Sequence, residues 1–224
     1  MLEDRPYSRQ LRCWPAMTAA RERPRRRRRA TRLQGELAGC VEPPRPKALD
    51  AFRLARRKFL AGRRVEMSAL ADELGVNRAT LYRWVGSREQ LLVEIIWSLG
   101  ERTLESIDAQ VESKGSERIV QVVGRFLKAV ISNAGMQRWL AEEGEYAMRL
   151  LTRHDTDFQP RLIGAIQELL EREAAAGRLD LPADLHEVAY VIVRLIESYT
   201  YLDLITGERP EAGRAEPILR MLLR

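Results

Sequence analysis

The sequence predicts an all-α protein, with an N-terminal three-helix helix-turn-helix head joined by a long helix to a larger helical body. Three observations point there. Apolar residues recur at three- and four-residue spacing through most of residues 47–224, the period of a helix with one buried face. Glycine is sparse, 14 residues in 224, so the apolar runs between breakers are long. Two short periodic runs meet at Gly75-Val76-Asn77, which is the layout of a helix-turn-helix. The 45% hydrophobic content is enough for a real core and excludes disorder throughout.

Residues 1–46 carry no periodicity. They hold six prolines and the run Arg25 to Arg29, and are expected to be a disordered basic arm. Two readings of the arm stand. It grips phosphates, or it is a solvated tail or an over-long translated start.

The first helix is expected from about Lys47 to Ala61, with Leu49, Phe52, Arg56 (through its stem) and Phe59 on the inward face. Pro46 suits its start and Gly62 its stop. A two-turn helix follows from Ser68 to Leu74, pointing Leu70, Ala71 and Leu74 inward. Gly75 should end it, because glycine accepts the left-handed conformation of a helix terminus. Asn77 is a good N-cap for a third helix from Arg78 to Val85. Ser87-Arg88-Glu89-Gln90 then reads as a capping box opening a long fourth helix with Leu91, Leu92, Ile95, Ile96, Leu99 and Leu104. Further amphipathic helices are expected near 118–133, 136–153, 158–176, 183–205 and 215–223. Gly135, Gly177 with Pro182, and Gly207 with Pro210 should mark the breaks.

Charge is unevenly placed along the chain. Residues 1–46 hold 12 arginines against 5 acidic groups, and residues 47–94 hold 10 basic against 6 acidic. Residues 95–224 reverse the balance, with 16 basic against 21 acidic. A basic front and an acidic back suggest that the front meets a polyanion.

The third helix carries the chemistry. Leu81 and Val85 lie at i, i+4 and can pack inward. The other face then shows Arg78, Ala79, Tyr82 and Arg83. Arginines can make bidentate contacts to guanine, and a small alanine lets the backbone approach a thymine methyl. Asn77, Thr80 and Tyr82 are of the types that contact phosphate, and Ser68, Trp84 and Arg88 complete the candidate DNA-binding set. The competing reading is an ordinary helical hairpin with a solvated charged face.

The stretch from Gly75-Val76-Asn77-Arg78-Ala79-Thr80-Leu81-Tyr82-Arg83-Trp84-Val85-Gly86 through Ser87-Arg88-Glu89-Gln90-Leu91-Leu92 resembles the TetR family signature. The family pattern is G-V-[ST]-x-x-[TA]-[LI]-Y-x-[HY]-F-x-[SN]-K-[ED]-x-L. The likeness covers about residues 47–94. Asn77, Val85 and Arg88 depart from the usual Ser or Thr, Phe and Lys, and Glu66 stands where a capping Thr is common. The resemblance implies a DNA-binding domain at 47–94 and a ligand-binding and dimerisation domain at 95–224. It implies that Tyr82 and Arg88 touch the DNA backbone while Arg78, Ala79 and Arg83 face bases. It also implies a homodimer on double-stranded DNA with a palindromic operator, acting as a repressor released by a small-molecule effector; a cytoplasmic location is expected separately, from the lack of a disulfide framework in a chain with two cysteines.

Residues 183–205 are apolar on more than one stripe, so more than one side must be covered. With Leu219 and Leu222 of the last helix they are the expected dimer interface. Trp139, Tyr146, Arg149, Phe158, Tyr190 and Arg194 are the candidate ligand-binding residues, being aromatic or polar groups among apolar stretches. The run from Leu195-Ile196-Glu197-Ser198-Tyr199 to Asp203-Leu204-Ile205-Thr206-Gly207-Glu208 resembles the QsdR branch of the family, repressors linked to breakdown of lactone quorum signals. That likeness implies a lactone or another apolar compound as effector.

Other classes fare worse. No G-x-S-x-G, P-loop, G-x-G-x-x-G or H-E-x-x-H motif occurs, so no catalytic residue and no cofactor is expected. His154 and His186 lack ligand spacing, and Cys13 and Cys40 form no zinc pattern, so no metal is expected. No apolar run reaches the ~18 residues that span a bilayer, so no membrane partner is expected. The remaining alternative is a ligand-independent architectural nucleic-acid-binding protein.

Overall fold

Ten α-helices and one 3₁₀ turn run through residues 45–224, which the computed structural model describes, with no strand among them. The expected arm at 1–46 lies outside these residues, apart from its last two. The head helices fall where local chemistry puts them. They are α1 (Ala48–Leu60), α2 (Met67–Leu74) and α3 (Arg78–Val85), followed by α4 (Arg88–Gln110). Gly75 closes α2 at φ 67°, a left-handed value that a side chain would strain. The Asn77 side chain accepts the Thr80 amide at 2.7 Å and so starts α3. Ser87 and Gln90 form the full capping box of α4.

The body comprises α5 (Gly115–Ser132), α6 (Ala134–Thr152), α7 (Phe158–Ala175), α8 (Leu185–Thr200), α9 (Leu202–Thr206) and α10 (Ala215–Leu222). The most extensive helix pairing is that of α7 with α8.

Four details differ from the sequence expectation. In α1 the inward line is Ala51, Leu54, Ala55 and Phe59, while Leu49 is 53% exposed. Small alanines let helices approach closely, and weighting by large apolar residues hid them. Gly135 does not break a helix but lies inside α6, where a Cβ would stand 2.5 Å from the Phe59 carbonyl oxygen. It is a close-approach residue, and Asn133 caps the helix instead, accepting the Met136 amide. The expected helix 183–205 is interrupted at Tyr201 (φ −104°, ψ 21°). Finally, Leu219 is fully buried in the chain's own core and Leu222 is half-buried. Leu219 is therefore not free for an interface, because α10 turns that face onto α5 and α8.

Two apolar cores result, and they do not follow chain order. One joins the head to Met136, Trp139, Ala147, Leu150 and Leu151 of α6 and to Tyr201. The other is built from α4, α5, α7, α8 and α10. Helix α6 is therefore packed into the core of the head, although it lies some fifty residues beyond it in sequence.

Candidate nucleic-acid interface and effector cavity

Helix α3 buries Leu81 completely and half-buries Val85 and Trp84 against α1, α2 and α4. That fixes its rotation. Arg78, Ala79, Tyr82 and Arg83 are left exposed, Tyr82 at 48%. None of these arginines forms an ion pair among the described residues, so both guanidiniums remain available to an anionic partner. Asn77 spends its side-chain oxygen on the cap. Thr80 is half-buried beside it, and Ser68 is half-buried on α2. Four of the expected groups thus form one exposed basic face, which the Asn77 cap and the burial of Leu81 hold in place.

Arg88 does something else. Its Nη1 and Nη2 donate to the two Glu143 oxygens, each at 2.9 Å, and its Nε donates to the Val65 carbonyl at 2.8 Å. The guanidinium also lies 5.3 Å from the Tyr146 ring centroid. Arg64 reaches the same carboxylate at 2.9 Å. Arg88 is therefore committed to α6, and its expected place on the DNA backbone is not where the structure puts it. Glu143 sits at a break in helical geometry (φ −137°, ψ 37°), and this kink brings its carboxylate to the head.

Between the two cores lies a cavity of about 90 Å³. Its wall draws on Phe59 of α1, Ile96, Trp97 and Gly100 of α4, Phe126 of α5, and Ile196, Glu197, Thr200 and Tyr201 near the end of α8. Behind Glu197, Gln159 donates to its carboxylate and accepts from Arg194, and Arg194 pairs with Glu197 at 3.0 Å. Burial raises the Glu197 pKa above the ordinary carboxylate value, with Gln159 and Arg194 pulling the other way. Burial, together with the nearby Glu197 charge, pushes the Tyr201 phenol up as well.

Of the six expected ligand residues, only Phe158 lines this cavity. Trp139 is buried in the head core between Phe59 and Tyr146, as edge-to-face partners at 5.9 and 6.5 Å. Tyr146 lies under Arg88. Arg149 is exposed, and Tyr190 is 44% exposed with Arg194 stacked over it at 5.0 Å. Polarity among apolar residues does not pick out the wall of this cavity, because it finds aromatic groups and ignores helix rotation. The residues it missed, Phe59 and Tyr201 above all, come from elements far apart in sequence. The break in the α8 apolar pattern near Tyr201 was the one local hint.

Among the described residues no helix is long and apolar enough to cross a membrane, and no cluster of His, Cys, Asp and Glu could hold a metal ion.

Known proteins resemble the chain over this same frame. A family model described as tetracyclin repressor-like, C-terminal domain, matches residues 114–224. The HTH-type transcriptional regulator BetI of Agrobacterium fabrum is 26% identical over 203 residues, 81% of this chain and 98% of that protein. Among solved structures, the R. erythropolis transcriptional repressor QsdR superposes with a TM-score of 0.72 at 29% identity, covering 81% of this chain and 96% of that one. FadR of Bacillus subtilis, solved with stearoyl-CoA, has a TM-score of 0.53 at 12% identity over 79% of this chain and 98% of its own, a likeness of fold alone.

Proposed function

This chain belongs to the TetR family of transcriptional regulators, and from that premise we propose that it is a repressor that leaves its operator when a small molecule binds. The observation that carries the reading is the rotation of α3. Leu81 is buried, and Arg78, Ala79, Tyr82 and Arg83 face outward beside a capped helix N-terminus. That face suits major-groove readout, with arginine on guanine and alanine beside a thymine methyl.

On this reading residues 47–94 are the DNA-binding domain and residues 95–224 hold the effector and the dimer contact. The dimer face proposed is the outer side of α8, where Tyr190 and Val191 are exposed at 44% and 40%. The effector is a small apolar compound, and the likeness to QsdR favours a lactone. The test is an electrophoretic titration of the full chain against DNA upstream of its own reading frame, with and without lactones. A retarded complex that dissolves on lactone addition is expected. Retention that no effector alters would favour the architectural reading, and no retention at all would end the regulator reading.

A further inference from the structure

A second concavity lies between α1 and α4 and shares no wall residue with the cavity between the cores. It is an open groove of about 360 Å³, within the roughly 300–1,000 Å³ common for small-molecule sites. Arg53, Arg56 and Arg57 line it from α1, and Ser98 and Arg102 from α4. Residues three and four apart share a helix face, so α1 sets its arginines beside Leu49 and Phe52. No acidic residue lines the groove. Glu101 and Glu105, the acids nearest on α4, line a different groove against α7.

These arginines are also largely unspent. The side chains of Arg56, Arg57 and Arg102 form no hydrogen bond or ion pair among the described residues. Arg53 has only Asp50, at 3.6 Å with both groups exposed, and Asp50 also accepts from the Lys47 amide. The Arg56 Nε is buried and has no partner. A buried donor without an acceptor is costly, more so on a charged group, and such atoms are few in native proteins. Ser98 donates its hydroxyl to the Ile95 carbonyl at 2.8 Å, so the guanidiniums are the donors that this groove offers.

We propose that the groove binds a small oxyanion with at least two negative charges, a phosphate or polycarboxylate compound, and that the bound anion bridges α1 of the head to the middle of α4. A cleft lined by one sign of charge concentrates counter-ions, and a guanidinium fork matches a pair of phosphate or carboxylate oxygens. Phe52 and the exposed Leu49 offer contact to any apolar part of the ligand. The position favours a free ligand over the duplex that α3 would grip. Arg102 lies about 21 Å along α4 from Arg88, at roughly 1.5 Å per residue. Leu104, close beside it, already belongs to the body core. The groove thus sits where the head joins the body.

The test is calorimetric titration and thermal melting of the full chain with pyrophosphate, citrate and acetate. Pyrophosphate or citrate should bind and raise the melting temperature, since the groove exists only in the fold. The tighter of the two tells phosphate from carboxylate. Acetate, with one charge, should bind at least about ten-fold more weakly than that anion. Arg102 is exposed and unpaired, so Arg102→Gln should fold, and should weaken the anion at least about five-fold. Arg149→Gln removes the same charge from another exposed site and should leave binding unchanged. Ser98→Glu puts a carboxylate among the guanidiniums. It should abolish binding and raise the melting temperature without ligand. Glutamines in place of Arg25 to Arg29 test the other basic run, and should leave binding in place. No binding by either multivalent anion, acetate as tight, equal effects of Arg102→Gln and Arg149→Gln, or loss with the Arg25 to Arg29 replacement would each overturn the proposal. If Arg102→Gln weakens a random duplex as much as it weakens the anion, the groove is a DNA contact and the proposal falls.

Discussion

Neighbouring residues of the α2–α3 region do different work, and only their surroundings tell them apart. Asn77 caps, while Arg78 faces outward beside it. Replacing Arg78 by Ala should cost about 1–3 kcal/mol of operator binding and relax the preference at one base pair, if it reads a guanine. Titration against operators altered singly at each position checks this, and equal loss on random DNA would reassign Arg78 to phosphate. Arg88 and Glu143 form the contrasting case, with side chains only 19% and 15% exposed. Glu143→Ala strands a half-buried guanidinium and should destabilise the chain by about 1–3 kcal/mol. The exposed pair of Arg138 and Glu142 on the same helix has 63% and 41% exposed side chains. Breaking it with Glu142→Ala should cost less than about 1 kcal/mol. Urea unfolding of both variants compares them directly, and equal costs would show that the Arg88 contact is no stronger than a surface pair.

Among the elements, α3 is only eight residues long. A helix of that length does not form alone and depends on its cap and on burial of Leu81. Asn77→Ala should therefore cost about 0.5–2 kcal/mol, read by chemical denaturation. The start of α5 shows how a buried carboxylate joins elements. Glu173 of α7 accepts from Arg178 at 2.7 Å and from the Gly115 amide at 2.8 Å. The Arg178 hydrogen bond chiefly, with the Gly115 amide and the Arg178 and Arg118 charges, lowers its pKa to about 2 from 4.5. A carboxylate whose pKa is lower in the folded state adds stability above its ordinary pKa and loses it as pH falls. The window here runs from 4.5 down to about 2. Acid titration of stability should show a drop in that window that is smaller in Glu173→Gln, and identical curves would remove Glu173 from acid unfolding.

At the scale of the whole molecule, two α3 helices must meet successive major grooves, ~34–36 Å apart on one DNA face. A two-fold dimer sets that spacing, and the operator should then be an imperfect palindrome. The pair Tyr190→Asp and Val191→Asp places charge on the proposed face while leaving both cores intact. Monomers that bind DNA poorly are expected by light scattering and mobility shift. A stable dimer would move the interface elsewhere, the exposed Ile218 and Met221 of α10 being the next apolar surface. Leu219→Asp is a different experiment, since it puts a charge into the core and should unfold the chain.

The helix content, the head, the α3 boundaries and both α-helical caps at Asn77 and Ser87 were legible in the sequence. They rest on periodicity and on contacts within four residues, which one segment contains by itself. The exposed set of Arg78, Ala79, Tyr82 and Arg83 was legible for the same reason, because two apolar positions determine the rotation of a short helix. What the sequence could not supply was which distant residues share a space. That Arg88 meets Glu143, that α6 fills the head core, and that Phe59 and Tyr201 wall one cavity all depend on how helices pack. Packing is decided by the fit of whole helix faces, alanines and glycines included, and no local pattern encodes that fit.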